Sequence, residues 1–260
     1  MSSYLRRLKE GVIPILIIFT LLCVWEIVSR SGIFVYLMPP FSEVVLRLSQ
    51  MLMSGVPTGH IIASLLRSFT GFLLAAALGI SLGILLGWSR RVYKILESPI
   101  ELLRPIPSIA LIPLAILWFG IGEAPKIFII AFACFWPVLM NTVYGVRGVD
   151  DNLIKSARSM NAGREDLLFK VAVPAASPYI FGGLRISLAI SFVLLVASEM
   201  VAAQNGLGFL ILLYEETFRI KEMYGVLILL VLLAYLSNRI LLRIEDHFTA
   251  WHKAITIAKR

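Results

Sequence analysis

A chain of 260 residues that is 59% hydrophobic and only 15% charged, with a mean hydropathy of +0.88, carries more apolar side chain than a water-soluble fold of its size can bury. Lipid as solvent removes the conflict, because a spanning helix needs only about 20 predominantly apolar residues. The net charge of +8 does not describe a nucleic-acid surface: Lys and Arg fall in short clusters between apolar runs, the pattern that orients helices in a membrane.

Residues 1–34 begin with Arg6, Arg7 and Lys9, followed by an apolar run at 12–28. The run imitates a secretion signal, but Trp25 and Glu26 follow it where a small-residue cleavage site would stand. It therefore reads as a retained first span. Cys23 and Cys134 both lie in apolar runs and read as buried thiols, while His60, His247 and His252 form no zinc pattern, so no metal site is expected. Residues 35–60 read as an external interfacial segment. There Pro39-Pro40-Phe41-Ser42 leads into Val44, Val45, Leu48 and Leu52, which suits a short surface helix with Ser42 as its N-cap.

Five further spans are expected at 61–88, 95–119, 126–146, 178–203 and 223–242. They form a core over 61–245, followed by a tail at 246–260. The fold class is an all-α membrane protein with six transmembrane helices, because backbone polar groups in hydrocarbon must pair within their own segment. The ten-residue alternation of a membrane barrel is absent. In the second span Gly71, Ala75, Gly79, Gly83 and Gly87 place a small residue at every fourth position. One helix face then becomes a smooth ridge, suited to close packing or to sliding. The third span carries Pro105, Pro107 and Pro113 within nine residues, beside Arg104, and is expected to be broken. Pro107, Pro113, Phe135, Trp136, Asn141 and Glu199 are candidates for a pathway or gate. The alternatives are core or lipid packing for the aromatics and an interfacial, snorkelling position for Glu199.

Of the 24 Lys and Arg, only Arg30, Arg47, Arg67, Lys126, Arg219 and Lys221 fall on one set of alternate ends. The positive-inside rule then puts both termini and the segment 150–174 in the cytoplasm. In that segment Asp150 or Asp151 can cap a helix from Leu153 to Met160. Asn161 and Gly163 suit a turn that includes a left-handed residue, and a second short helix, 165–171, is expected to stop before Pro174. The apolar triplet Leu167, Leu168 and Phe169 beside charges marks a surface built to dock.

This segment resembles the cytoplasmic coupling motif of the permeases of binding-protein-dependent ABC importers: Glu-Ala-Ala, three residues, Gly, nine residues, Ile-x-Leu-Pro. Aligned on Pro174, the motif falls on Lys155-Ser156-Ala157, then Asn161, then Val171 and Val173-Pro174. The leading Glu is replaced by Lys155 and the Gly by Asn161. The runs at 103–107 and 113–122, and Ser198-Glu199-Met200 before Gly206-Leu207-Gly208, are similar to the nitrate, sulfonate, taurine and bicarbonate branch of that family.

The resemblance implies a type I importer permease that pairs with a second permease copy and two ABC ATPase subunits. An extracytoplasmic solute-binding protein would deliver a small solute. Lys155, Ala157, Arg158, Asn161, Ala162, Gly163, Asp166, Leu167, Phe169 and Pro174 would meet the ATPase. The chain has no Gly-x-x-x-x-Gly-Lys-Ser/Thr loop, so ATP and Mg are expected on the partner and no cofactor on this chain. Rival readings are an ion-coupled secondary transporter, which would need an inverted repeat and a relay of buried charges, and an importer for a neutral pyrimidine or vitamin precursor.

Overall fold

Long apolar runs give long helices, and polar breaks separate them. The computed structural model describes residues 2–31 and 37–249, with the side chains of residues 2–12, 14 and 15 outside that description. The helices are α1 (Ser2–Arg30), α2 (Phe41–Met53), α3 (Thr58–Trp88), α4 (Arg90–Leu103), α5 (Ile112–Phe119) and α6 (Glu123–Arg147). They continue as α7 (Asp151–Ser159), α8 (Arg164–Asp166), α9 (Val173–Ala202), α10 (Leu207–Glu216) and α11 (Ile220–Phe248). A tight 3-10 turn at Ser108–Leu111 precedes α5, and a π-helical stretch at Leu167–Ala172 joins α8 to α9.

Among the described residues α3, α6, α11 and the continuous stretch Arg164–Ala202 are each long and apolar enough to cross a membrane. A further candidate crossing is the pair formed by α4 and Ser108–Phe119, bent by 81°. The expected first span lies in α1, whose side chains are described only in part. From residue 250 onward the expected tail lies outside the described residues.

The small-residue ridge of α3 sets the core. A Cβ built on Gly71 would fall 2.8 Å from Ile130 Cβ, on Gly79 2.9 Å from Val138 Cβ, on Gly83 2.5 Å from Thr142 Cβ and on Gly87 2.6 Å from Val146 Cβ. Each partner on α6 lies 59 positions further along the chain than its glycine, so α3 and α6 run parallel in fixed register. Ala75, in the middle of the ridge, is buried in the same interface. Parallel neighbours require the intervening chain to return, so the bent α4–α5 pair carries it back from the Trp88 end to the Glu123 end.

α9 packs antiparallel on α6. The Cys134 thiol donates to the Ser187 carbonyl at 3.1 Å, and Ser187 Oγ donates back to the Cys134 carbonyl at 2.7 Å. Gly183 abuts Asn141, and Gly145 abuts Tyr179 and Ala176. α3 and α9 meet through the Ser68 and Ser191 hydroxyls, 3.0 Å apart. α11 lies antiparallel to α9, with Arg185 on Glu245 and the Phe181 ring against Phe248. α2 covers α10 and α11 through Leu48 and Met51. The end of α1 is tied down by Trp25, whose Nε1 donates to the Pro39 carbonyl at 3.0 Å.

Three local expectations need correction. Ser42 is not the N-cap of α2: Pro40 holds that position, and the Ser42 hydroxyl donates to Glu26 Oε1 at 2.8 Å, a charged acceptor that outcompetes the helix end. The third span starts at Arg90, not at 95, although it breaks into two helices at its prolines as expected. The second helix of 150–174 does not stop before Pro174. It passes through the π-helical stretch into α9, where Pro174 occupies the first turn and its missing N–H is tolerated.

Candidate functional site

Between α6 and α9 the chain leaves the bundle and returns, and sequence dictates the shape of the excursion. Asp150 caps α7, its Oδ1 accepting from Asn152 N at 2.8 Å. The helix ends where Asn161 adopts φ 62°, the left-handed conformation that Asn tolerates better than most side chains. Ala162 N then closes the turn on the Ala157 carbonyl at 3.1 Å. Gly163, at φ −67°, needs no such freedom and serves as the N-cap of α8. Lys170 pairs with Asp166 at 2.6 Å across one turn.

The apolar triplet divides. Leu167 is only 4% exposed and anchors the excursion to the bundle, Leu168 is half-buried, and Phe169 is 64% exposed. Two residues absent from the sequence-based set complete the exposed apolar face: Leu153 and Met160, the latter 83% exposed. With Ala157 they recur at i, i+4 and i+7 along α7, so a periodicity test over 150–160 would have found them. Lys155 and Arg158 are exposed beside them. Under this knob a cavity of about 720 Å³ is lined by Trp88, Arg90, Arg158, Ala162, Arg164 and Leu167, among others.

The opposite end of the bundle is closed by buried charge. Arg67 on α3 is 2% exposed and Glu199 on α9 is 0% exposed, and they pair at 2.6 Å. Arg67 also holds Glu123 at the start of α6, with Nη2 donating to Oε1 at 2.7 Å, and the Asn205 carbonyl at 2.7 Å. Glu199 accepts from Ser64 Oγ at 2.8 Å and from Gly208 N at 2.8 Å, which fastens the turn that opens α10. Gly206 in that turn has φ +124°, and a side chain there would strike the Glu199 carboxylate. Glu199 thus sits inside the protein as the centre of a clasp joining α3, α9 and α10, and does not snorkel to the surface.

The remaining pathway candidates separate into groups. Pro107, Trp136 and Asn141 line one cavity of about 550 Å³ where the bent span faces α6 and α9. Phe135 packs into the core and meets the Trp136 ring edge-on at 5.0 Å. Pro113 is exposed in the first turn of α5. Among the described residues no cluster of His, Cys, Asp and Glu suits a metal ion.

Charge pairing differs between the two ends. All six cations at the clasp end meet carboxylates: Arg30 with Glu26, Arg47 and Arg219 with Glu222, Arg67 with Glu199 and Glu123, Lys126 with Glu123, and Lys221 with Glu43. At the other end Arg90, Arg91, Lys94, Lys155, Arg158 and Arg164 make no ion pair among the described residues. The knob projects from this end, among its unpaired cations.

Long apolar helices packed through glycine, a proline-broken crossing, one end closed by buried ion pairs and a helical knob at the other describe an all-helical membrane protein. Residues 75–251 match the binding-protein-dependent transport system inner membrane components, and the chain belongs to that family. It is 35% identical over 233 residues to the taurine transport system permease protein TauC of Escherichia coli, covering 88% of this chain and 85% of the relative. It is 34% identical over 222 residues to the bicarbonate transport system permease protein CmpB of Synechococcus elongatus, covering 81% and 80%. The fold is similar to a chain of the inward-facing MetNI methionine ABC transporter, with a TM-score of 0.64 at 23% identity over 76% of this chain and 98% of that one. The protein is a permease subunit of an ABC importer of the inner membrane.

Proposed function

We propose that this permease works as a homodimer on two separate ATPase subunits that bind ATP and Mg, and that it passes a small anion delivered by an external binding protein. The relatives named for taurine and bicarbonate transport support an anion of sulfonate, taurine, nitrate or bicarbonate type. The observation that carries the reading is the knob: Leu153, Met160 and Phe169 stay exposed among unpaired cations, an arrangement suited to a groove on another protein. ATP closure of the partner would pull the knob, and Leu167 would pass the motion to α9. Such a drive requires ATP to bind the outward- and inward-open states unequally.

The test is co-purification with a candidate ABC ATPase from the same genome, followed by ATP-driven uptake in proteoliposomes with a binding protein. Ala157→Asp, which sets a carboxylate on the docking face, should abolish both co-purification and uptake. Uptake by this chain alone, driven by a proton gradient, would overturn the proposal.

A further inference from the structure

The cavity at the break of the third span has a lining that selects for charge. Its walls come from the bend itself (Arg104, Ile106, Pro107, Ser108, Ile109), from α6 between Ala133 and Tyr144, and from α9 between Ile186 and Leu194. Arg104 is the only ionised side chain of the lining, and no carboxylate faces it. Arg104 is exposed, like Arg90, Arg91, Lys94, Lys155, Arg158 and Arg164, but it alone among these cations lines this cavity. Here the guanidinium finds no partner among the described residues.

Other donors of the cavity are equally unspent. The Ser108 and Tyr144 hydroxyls make no hydrogen bond among the described residues. Trp136 forms one of the cavity walls, with its indole N–H buried. Asn141 spends one amide proton on the Pro137 carbonyl at 2.8 Å and keeps the rest of its amide free. Opposite this polar side, Ile106, Ile109, Met140, Ile186 and Ile190 form an apolar wall.

We infer that this cavity is a solute-binding station for a small organic anion, with an oxyanion headgroup at Arg104, Ser108 and Tyr144 and a short aliphatic body on the isoleucine wall. Sulfonates fit this description: a compact monoanion whose oxygens accept several hydrogen bonds, attached to a chain that prefers the apolar side. At about 550 Å³ the cavity has room for such an anion with water around its head. Its position on α6, from Ala133 toward the cytoplasmic end at Arg147, puts the station in the inner half of the crossing. The inference rests on the transport reading above and adds to it a site on this chain, apart from whatever the external binding protein recognises.

The test uses the purified permease–ATPase complex in nanodiscs, without binding protein, titrated with sodium ethanesulfonate. Trp136 lies in the cavity wall, so binding should change tryptophan fluorescence, and the change should vanish in Trp136→Phe. Arg104→Gln should weaken the apparent affinity roughly tenfold or more, the size of a lost charge-assisted hydrogen bond, and Arg104→Lys should recover part of it. Ser108→Ala, a smaller change at an accessible position, should weaken it severalfold without affecting assembly with the ATPase. Sodium chloride at equal ionic strength and ethanol should give no signal. A wild-type complex that carries out ATP-driven uptake but gives no saturable signal, or one whose signal is the same in Arg104→Gln, would overturn the station and leave the transport reading standing. A wild-type complex with no ATP-driven uptake at all would instead defeat the reading on which the inference rests.

Discussion

Arg67 is the only charged side chain on α3, and its burial makes it the residue with the most to lose. A guanidinium out of water is tolerated only when its donors are satisfied, and here Glu199, Glu123 and Asn205 share them. Arg67→Met would leave the fully buried Glu199 with Ser64 and Gly208 alone. We expect a loss of about 3–5 kcal/mol, read as a lowered unfolding midpoint in detergent. Arg67→Met combined with Glu199→Leu should recover part of that loss, because the orphaned charge goes with its partner. If the double variant is less stable than the single one, the pair is not the source of the stability. Glu199 stood out in sequence as a carboxylate inside an apolar run. Its partner did not, because 132 positions separate the two and only the fold brings α3 against α9. Arg67 could have been suspected on its own, as a lone cation ten residues into a long apolar helix.

At the scale of elements, the α3–α6 contact was readable and the excursion between α6 and α9 only partly so. A small residue at every fourth position has one geometric meaning on a helix, a face with no side chains, and that face is where α6 lies. Gly83→Ala puts a methyl 2.5 Å from Thr142 Cβ and should cost about 1–3 kcal/mol, whereas Gly182→Ala, with open space around it, should be neutral. Equal melting shifts for the two would show that the ridge is not a packing surface. In the knob, Asn161 was legible as a turn residue because few side chains accept φ 62°. Asn161→Gly should keep the ATPase bound. Asn161→Val, with a β-branched side chain forced into the left-handed region, should cost about 1–3 kcal/mol locally and weaken co-purification. The π-helical stretch was not legible: Pro174 read as a stop, and only the altered hydrogen-bond spacing before it lets the helix run on. The inward turn of Leu167 was hidden for the same reason, since one extra residue per turn rotates which side chain faces the bundle.

For the whole molecule, ion pairing separates the two ends more sharply than composition does. Counting Lys and Arg gave the orientation, but the count treated Arg67 and Lys126 as ordinary charges near a membrane surface. Both are buried and neutralised, and the exposed cations of that end are paired as well, through carboxylates that the count ignores. Among the described residues the other end pairs Lys170 and Arg185 but leaves Arg90, Arg91, Lys94, Lys155, Arg158 and Arg164 without ion pairs around a projecting knob. One end is locked by buried pairs and the other is open to a partner, so motion applied to the knob would act on the bundle from the end that is not clasped.

The most direct test is cysteine labelling of Met160→Cys in a Cys23→Ala, Cys134→Ala background, using a membrane-impermeant maleimide on oriented vesicles. Reagent on the cytoplasmic face should modify position 160, and assembly with the ATPase should protect it. Modification from the external face, or labelling that the ATPase leaves unchanged, would contradict a knob gripped from the cytoplasm.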